Sequence, residues 1–312
     1  MPPGVPSRRA VVRAFAAGAA AALLRPYAAL ARLPGGAAPL ARAIPSTGEK
    51  LPVVGLGTWI TFNVGDDPVL RDECTAVMRA FFEAGGRVID SSPMYGSSQG
   101  VVGHGLAKLG RKADVFSADK VWIGSGDDGP PQIEESRAHW GLRRFDLLQV
   151  HNLLAWEEHL PRLLEMKAAG RVRYVGITTS EGRRHDEIER IMATSPIDFV
   201  QITYNVLDRE VERRILPLAQ EHGIAVLVNR PFRQGALTRE VERHPLPPFA
   251  SEIGAATWAQ VLLKFIVAHP AVTCVIPATT RPDHAAENMA AATGELPDDA
   301  MRRRMAAHVE RL

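Results

Sequence analysis

The chain lacks several features that would assign it a class at once. It has two cysteines in 312 residues, Cys74 and Cys274. One falls on a predicted helix and the other on a predicted strand far away, so the expected state is two packed thiols rather than a disulfide scaffold. Net charge is only +2, and Arg8, Arg9, Arg13 and Arg25 stand in residues 1–31 without an acid, which leaves −2 for the remainder. No basic surface demanding nucleic acid is implied. The Ala-rich stretch from Ala14 to Leu24 is too short and too weak in Leu, Ile and Phe to span a bilayer comfortably. There is no P-loop, and Gly103-His104-Gly105 lacks the third glycine and the strand-turn-helix setting of a dinucleotide fingerprint. His151, Asp90 and His104 follow no metal-ligand spacing, so no metal is called for.

What is present is a regular alternation. With 46% hydrophobic residues the chain can bury a full core, and no internal linker interrupts it, which favours one large domain. From Leu51 onward, β-branched runs alternate with helix-period segments. Strands are expected at LPVVGLGTW, RVIDSS, DVFSADK, FDLLQVHN, VRYVGITTS, FVQITYN, IAVLVNRP and TCVIPATT, with helices such as Asp72 to Ala84, Trp156 to Ala169, Arg209 to His222 and Thr257 to Ala268. Eight strands with crossover helices predict an α/β fold, a (β/α)8 TIM barrel, over residues 50–312. Residues 1–31 read as a leader. Arg8-Arg9 precedes a mildly hydrophobic run, and Ala29-Leu30-Ala31 offers small residues for cleavage, a pattern that resembles a twin-arginine signal peptide and implies the translocase as partner and a periplasmic or exported protein. Without a used leader the location is cytoplasmic. Residues 32–49, rich in Gly and Pro, read as a tether.

Barrel strands buried on both faces should stay apolar until their active end. Here Asp90, Lys120, His151, Thr178, Gln201 with Asn205, Asn229 and Thr279 close seven successive strands. Singly, each has a structural alternative: an Asp caps helices, a His packs in cores, a Lys reaches outward. Together they form a site. Asp90 beside Lys120 beside Tyr95, with His151 opposite, is a proton-donating set. The ammonium is expected to draw the phenol from ~10 toward neutrality and make Tyr95 a general acid.

In order and context these four residues resemble the catalytic tetrad of the aldo-keto reductases, and the likeness runs from Leu51 to Asn288. It implies reduction of an aldehyde or ketone, a small-molecule carbonyl, by hydride transfer from NAD(P)H, with Asp90, Tyr95, Lys120 and His151 catalytic and Trp59 walling the substrate pocket. The segment GRVRYVGIT places Thr178 and Thr179 where the family holds the nicotinamide carboxamide with a Ser and an Asn. Gln201 matches a further carboxamide partner. Asn229 replaces the usual aromatic residue stacked on the nicotinamide ring. IPATTRPDHAAENM aligns with the adenosine-phosphate segment, with Thr279 at its hydroxyl position, Arg281 in reach of a 2′-phosphate, and Glu287 and Asn288 at the adenine end. NADPH is therefore expected over NADH, with NADH possible. The long stretch around residues 233–256 is expected to be a polar loop covering the cofactor. The substitutions at Thr179 and Asn229 leave open a nucleotide-binding sensor or accessory subunit with little turnover.

Overall fold

The computed structural model describes residues 38–312; the leader expected at residues 1–31 lies outside the described residues. Eight parallel strands follow one another around a single sheet in chain order. They are β3 (Leu56–Gly57), β4 (Val88–Asp90), β5 (Phe116–Val121), β6 (Phe145–Val150), β7 (Val172–Thr178), β8 (Phe199–Thr203), β9 (Ala225–Asn229) and β10 (Val272–Val275). Parallel bridges from Val54 to Val275 and from Gly57 to Ala278 close β10 onto β3, making a (β/α)8 barrel. Closure needs a residue without Cβ, since a methyl group on Gly57 would lie 2.7 Å from the Ile276 carbonyl oxygen. Helices between the strands include Pro68–Glu83, started by Asp67 and Pro68, and Trp258–Val267, capped by Thr257. In both, the N-cap side chain accepts the otherwise unpaired first amides.

Two apolar layers follow from the period-two alternation of the strands. Val88, Phe116, Ala118, Leu147, Tyr174, Phe199, Leu227 and Cys274 fill the barrel interior, while the opposite phase packs with the helices. Phe116, Tyr174 and Phe199 meet one another at centroid distances of 5.6 to 6.1 Å. Cys74 and Cys274 are both free and buried.

The fold begins earlier than the expected boundary at Lys50. β1 (Ala41–Ala43) and β2 (Lys50–Pro52) form an antiparallel hairpin inside the stretch assigned to the tether. It inserts Ile44 and Leu51 into the interior layer. Its turn bonds Thr47 to the Tyr174 hydroxyl at 2.8 Å, and Arg42 donates to the carbonyls of Val267, His269 and Val272. The hairpin therefore covers the amino-terminal end of the barrel. The expected first strand LPVVGLGTW accordingly divides between hairpin and barrel. Residues 233–256 also differ from the expected polar loop. They carry two short helices, Ala236–Val241 and Phe249–Glu252, and Leu237, Val241, Phe249, Ala250 and the following Ile253 are buried in the outer core.

Candidate active site

Strand register brings the four expected catalytic residues together at the carboxyl ends of β4, β5 and β6. Asp90 ends β4, and Tyr95 ends a 3-10 turn, Pro93–Tyr95, started by Ser92. Lys120 shares the inward phase of β5 with Phe116 and Ala118, and His151 follows β6 directly. The Lys120 ammonium donates to Asp90 Oδ2 at 2.7 Å and to the Ser91 carbonyl at 2.8 Å, with both charged side chains at most 2% exposed. Asp90 Oδ1 accepts from Gln201 Nε2 at 2.8 Å. The carboxylate thus has a partner on each oxygen, which a buried charge requires. Behind it, Ser98 donates to Thr58 at 2.7 Å and Thr58 to the Asp90 carbonyl at 2.8 Å, fixing the strand end.

Lys120 Nζ lies 4.9 Å from the centroid of the Tyr95 ring, and His151 meets that ring edge-on at 5.6 Å. The expected fall of the phenol toward neutrality is not what this environment produces. Burial pushes Tyr95 up to about 12, outweighing the opposing pull of Lys120, and the Asp90 charge adds to the rise. The physical reason is that burial penalises the phenolate more than the nearby ammonium, itself paired with Asp90, can favour it. Tyr95 consequently keeps its proton at neutral pH and releases it only where negative charge develops beside it.

His151 is held neutral. Burial, then the Lys120 charge, push it down to about 2. Its Nδ1 lies 2.8 Å from Ser92 Oγ, which also accepts the Met94 amide at 3.2 Å. When the Ser92 hydroxyl donates to Nδ1, the ring proton sits on Nε2, which then serves as the N–H donor. Sequence reasoning missed Ser92, although its place two residues after Asp90 was a usable signal. Trp59 follows β3 and is partly buried. Beside it in sequence, Ile60 is exposed at a positive φ of 65°, and Met94 and Trp122 are exposed on the loops after β4 and β5. These apolar side chains occupy the loops that follow three consecutive strands.

The other half of the strand ends is more loosely bonded. Thr178 closes β7, Gln201 lies in β8 and Asn229 closes β9. Gln201 Oε1 accepts from Thr178 and Asn229 at 3.4 Å each, and the buried Thr179 hydroxyl has no partner among the described residues. Weakly bonded amide oxygen and unpaired hydroxyl together fit a carboxamide, which offers both a donor and an acceptor. Asn229 is otherwise committed, donating to the Thr179 carbonyl at 2.9 Å and accepting from Thr203 at 2.7 Å. It supplies no ring for stacking. Thr279 is buried and accepts the Arg281 amide at 3.1 Å; Arg281 is exposed and ion-paired with Asp283. Glu287 is half-buried and Asn288 buried on the helix Pro282–Ala290. The bridge from Gly57 to Ala278 places this segment beside β3, away from β5 and β6. Two further arginines were not foreseen. Arg230 pairs with Glu181 at 2.9 Å, Arg233 pairs with Asp208 at 2.8 Å, and both line a cleft of about 720 Å³ that includes Thr203.

A closed barrel with a buried Lys–Asp pair against a tyrosine, a neutral histidine and weakly bonded amide and hydroxyl groups at the neighbouring strand ends fits an oxidoreductase acting on carbonyl groups. Comparison with known proteins agrees. The aldo/keto reductase family model matches residues 53–308, so the chain belongs to that family and is an NAD(P)H-dependent oxidoreductase. It is 27% identical over 236 residues to the methylglyoxal reductase YeaE of Escherichia coli, covering 74% of this chain and 82% of the relative. With the NADH-specific methylglyoxal reductase of the same organism it shares 28% identity over 238 residues, 65% of this chain and 70% of the relative. A crystal structure of an aldo/keto reductase from Klebsiella pneumoniae in complex with NADP and acetate superimposes with a TM-score of 0.70 at 25% identity, covering 85% of this chain and 92% of that one.

Proposed function

We propose that the protein reduces an aldehyde or ketone to the alcohol with Tyr95 as general acid, Lys120 and Asp90 setting its proton affinity, and His151 orienting the carbonyl. The observation that carries this reading is the buried Lys120–Asp90 pair against the Tyr95 ring, with a neutral His151 beside it. When bound, a reduced nicotinamide supplies the hydride. Thr178, Thr179 and Gln201 are the residues that would hold its carboxamide, and Arg281 the one that would meet a 2′-phosphate. As negative charge grows on the substrate oxygen, the Tyr95 hydroxyl gives its proton and the His151 Nε2–H donates a hydrogen bond. NADPH is the preferred cofactor, with NADH accepted, since Arg281 offers a charged fork to an added phosphate.

Small dicarbonyls of the methylglyoxal kind head the substrates to be tried, because two curated relatives carry that activity in their names. The deciding experiment is a steady-state assay on an aldehyde and dicarbonyl panel, wild type against Tyr95→Phe, alongside nucleotide titration followed by intrinsic fluorescence. Binding without turnover in the wild type would favour the sensor reading, which the missing stacking partner at Asn229 supports. We also propose that Arg8 and Arg9 direct twin-arginine export to the periplasm after folding. Export should fail when both are replaced by lysine, and a cytoplasmic wild-type protein with residues 1–31 intact would reject the idea.

A further inference from the structure

The tetrad contains one carboxylate, but the structure buries a second beside it. Asp119 occupies the outward phase of β5, between the inward-facing Ala118 and Lys120, and has no exposed surface. Its Oδ1 accepts the Lys120 backbone amide at 2.7 Å, and Gln99 Nε2 donates to its two oxygens at 3.0 and 2.9 Å. Gln99 stands in the first turn of the helix Ser98–Leu109, immediately after the turn that carries Tyr95. Among the described residues no cationic side chain bonds Asp119. One ammonium, bonded to Asp90, therefore lies near two buried carboxylates, a charge imbalance that a low-dielectric site resists.

We propose that Asp119, held by Gln99, is a positioning residue for proton transfer, a second carboxylate whose charge controls how firmly Tyr95 retains its proton. The inference rests on Tyr95 acting as the general acid. Burial pushes the Asp119 carboxyl up to about 7 against the Lys120 amide, the ammonium and Gln99, all of which favour the charged form. Tyr95 is raised first by burial, then by the Asp90 charge, and the Asp119 charge adds a smaller push in the same direction. Asp90 on β4, the Lys120 ammonium across its own strand and Tyr95 on the preceding turn are the ionisable groups coupled to Asp119 by charge rather than by contact. On the covering helix, His104 and Lys108 turn to Asp72, and on the helix Gly129–Trp140 Glu134, Glu135, Arg137 and His139 pair among themselves. Asp119 is thus the group near the tetrad positioned to change charge around neutrality.

Below neutrality Asp119 is uncharged, the ammonium acts on Tyr95 less opposed, and the phenol is the stronger acid. Above neutrality the added charge holds the proton back. Reduction takes two electrons with the hydride and one proton from the phenol, and the phenolate then regains a proton from solvent. It should run faster on the acid side. Oxidation of the alcohol needs the phenolate and should have its alkaline onset displaced upward.

The test uses the full chain and two readouts. At saturating aldehyde and cofactor, wild-type kcat for reduction should fall roughly two- to threefold through a midpoint near 7 as pH rises. Asp119→Asn should stay at the acid-side level throughout. Gln99→Met keeps the carboxylate, removes its amide donor and should move the midpoint to higher pH. An infrared titration of the protein without nucleotide should show a carboxylic C=O band disappearing with the same midpoint, absent in Asp119→Asn. An unchanged kinetic step in Asp119→Asn, an unmoved midpoint in Gln99→Met, or an infrared transition with no kinetic step would each overturn the proposal. Should Asp119→Asn not fold, the Gln99→Met midpoint decides. Loss of the kinetic step in Tyr95→Phe is required by the underlying assignment, whereas its infrared band should persist, so the two failures are distinguishable.

Discussion

The proton-donating half of the strand ends and the nucleotide half are built to different standards. Around Asp90, Lys120 and His151 the defining bonds are 2.7 to 2.8 Å, and the ionic side chains are almost fully buried. Around Thr178, Gln201 and Asn229 two bonds stretch to 3.4 Å and a buried hydroxyl is unpaired, while Arg281 points to solvent with Asp283. The first half is preorganised without a ligand, as electrostatic catalysis requires. The second is left for a ligand to complete, so its groups exchange weak internal bonds for good external ones.

If that contrast is right, injury to the first half should damage chemistry while sparing binding. Tyr95→Phe is expected to lower carbonyl reduction by about 10²- to 10⁴-fold, the usual span for a general acid. Nucleotide affinity by fluorescence titration should be nearly unchanged. Turnover within a few-fold of wild type would break the assignment. Lys120→Met should be comparably inactive and, because it strands Asp90 in the interior, should also lose about 3–5 kcal/mol of stability. Urea unfolding reads that difference; Tyr95→Phe should show little of it.

The buried ionisable groups leave opposite signatures in acid. His151 stays neutral down to about 2 when folded, whereas the unfolded chain takes up its proton below ~6.5. Acidification below that point therefore destabilises the fold through His151. Asp119 holds its proton up to about 7 when folded, against ~3.9 unfolded. Between those values acidification stabilises the fold through Asp119. Each slope is about 1.4 kcal/mol per pH unit, so the two offset one another from roughly pH 6.5 to pH 4. Denaturant unfolding across that window should show His151→Gln gaining stability on acidification relative to wild type and Asp119→Asn losing it. Parallel curves for both variants would refute these protonation states.

Smaller effects sharpen the comparison. Ser92→Ala removes one buried hydrogen bond that holds the His151 ring. It should lower kcat by about three- to tenfold with KM little altered, on the scale of ~0.5–1.5 kcal/mol for such a bond. On the nucleotide side, Arg281→Ala should weaken NADPH by roughly fivefold at most, as expected of an exposed ion pair, and leave NADH unchanged. Asp283→Ala, which frees Arg281, should tighten NADPH by a similar factor. Equal changes for both nucleotides would show that the pair serves the fold or the pyrophosphate instead.

The sequence by itself determined the barrel and the positions of its polar strand ends. A strand buried on both faces admits a polar residue only where it meets the active end, so Asp90, Lys120, Thr178 and Gln201 stood out against apolar runs. The order Asp90, Tyr95, Lys120, His151 was equally legible, being a property of the chain. The tertiary structure decided everything that depends on approach between distant segments. It folded residues 41–52 into a hairpin over the barrel end, because Ile44 and Leu51 complete the interior layer. Residues 233–256 gained two short helices because their apolar residues find the outer core. Only the packed site could show Ser92 against His151, Gln99 against Asp119 and Asp283 against Arg281. It also reversed the expected direction for Tyr95. Residue types announce which groups can ionise, but burial and the sum of neighbouring charges decide which form each one keeps.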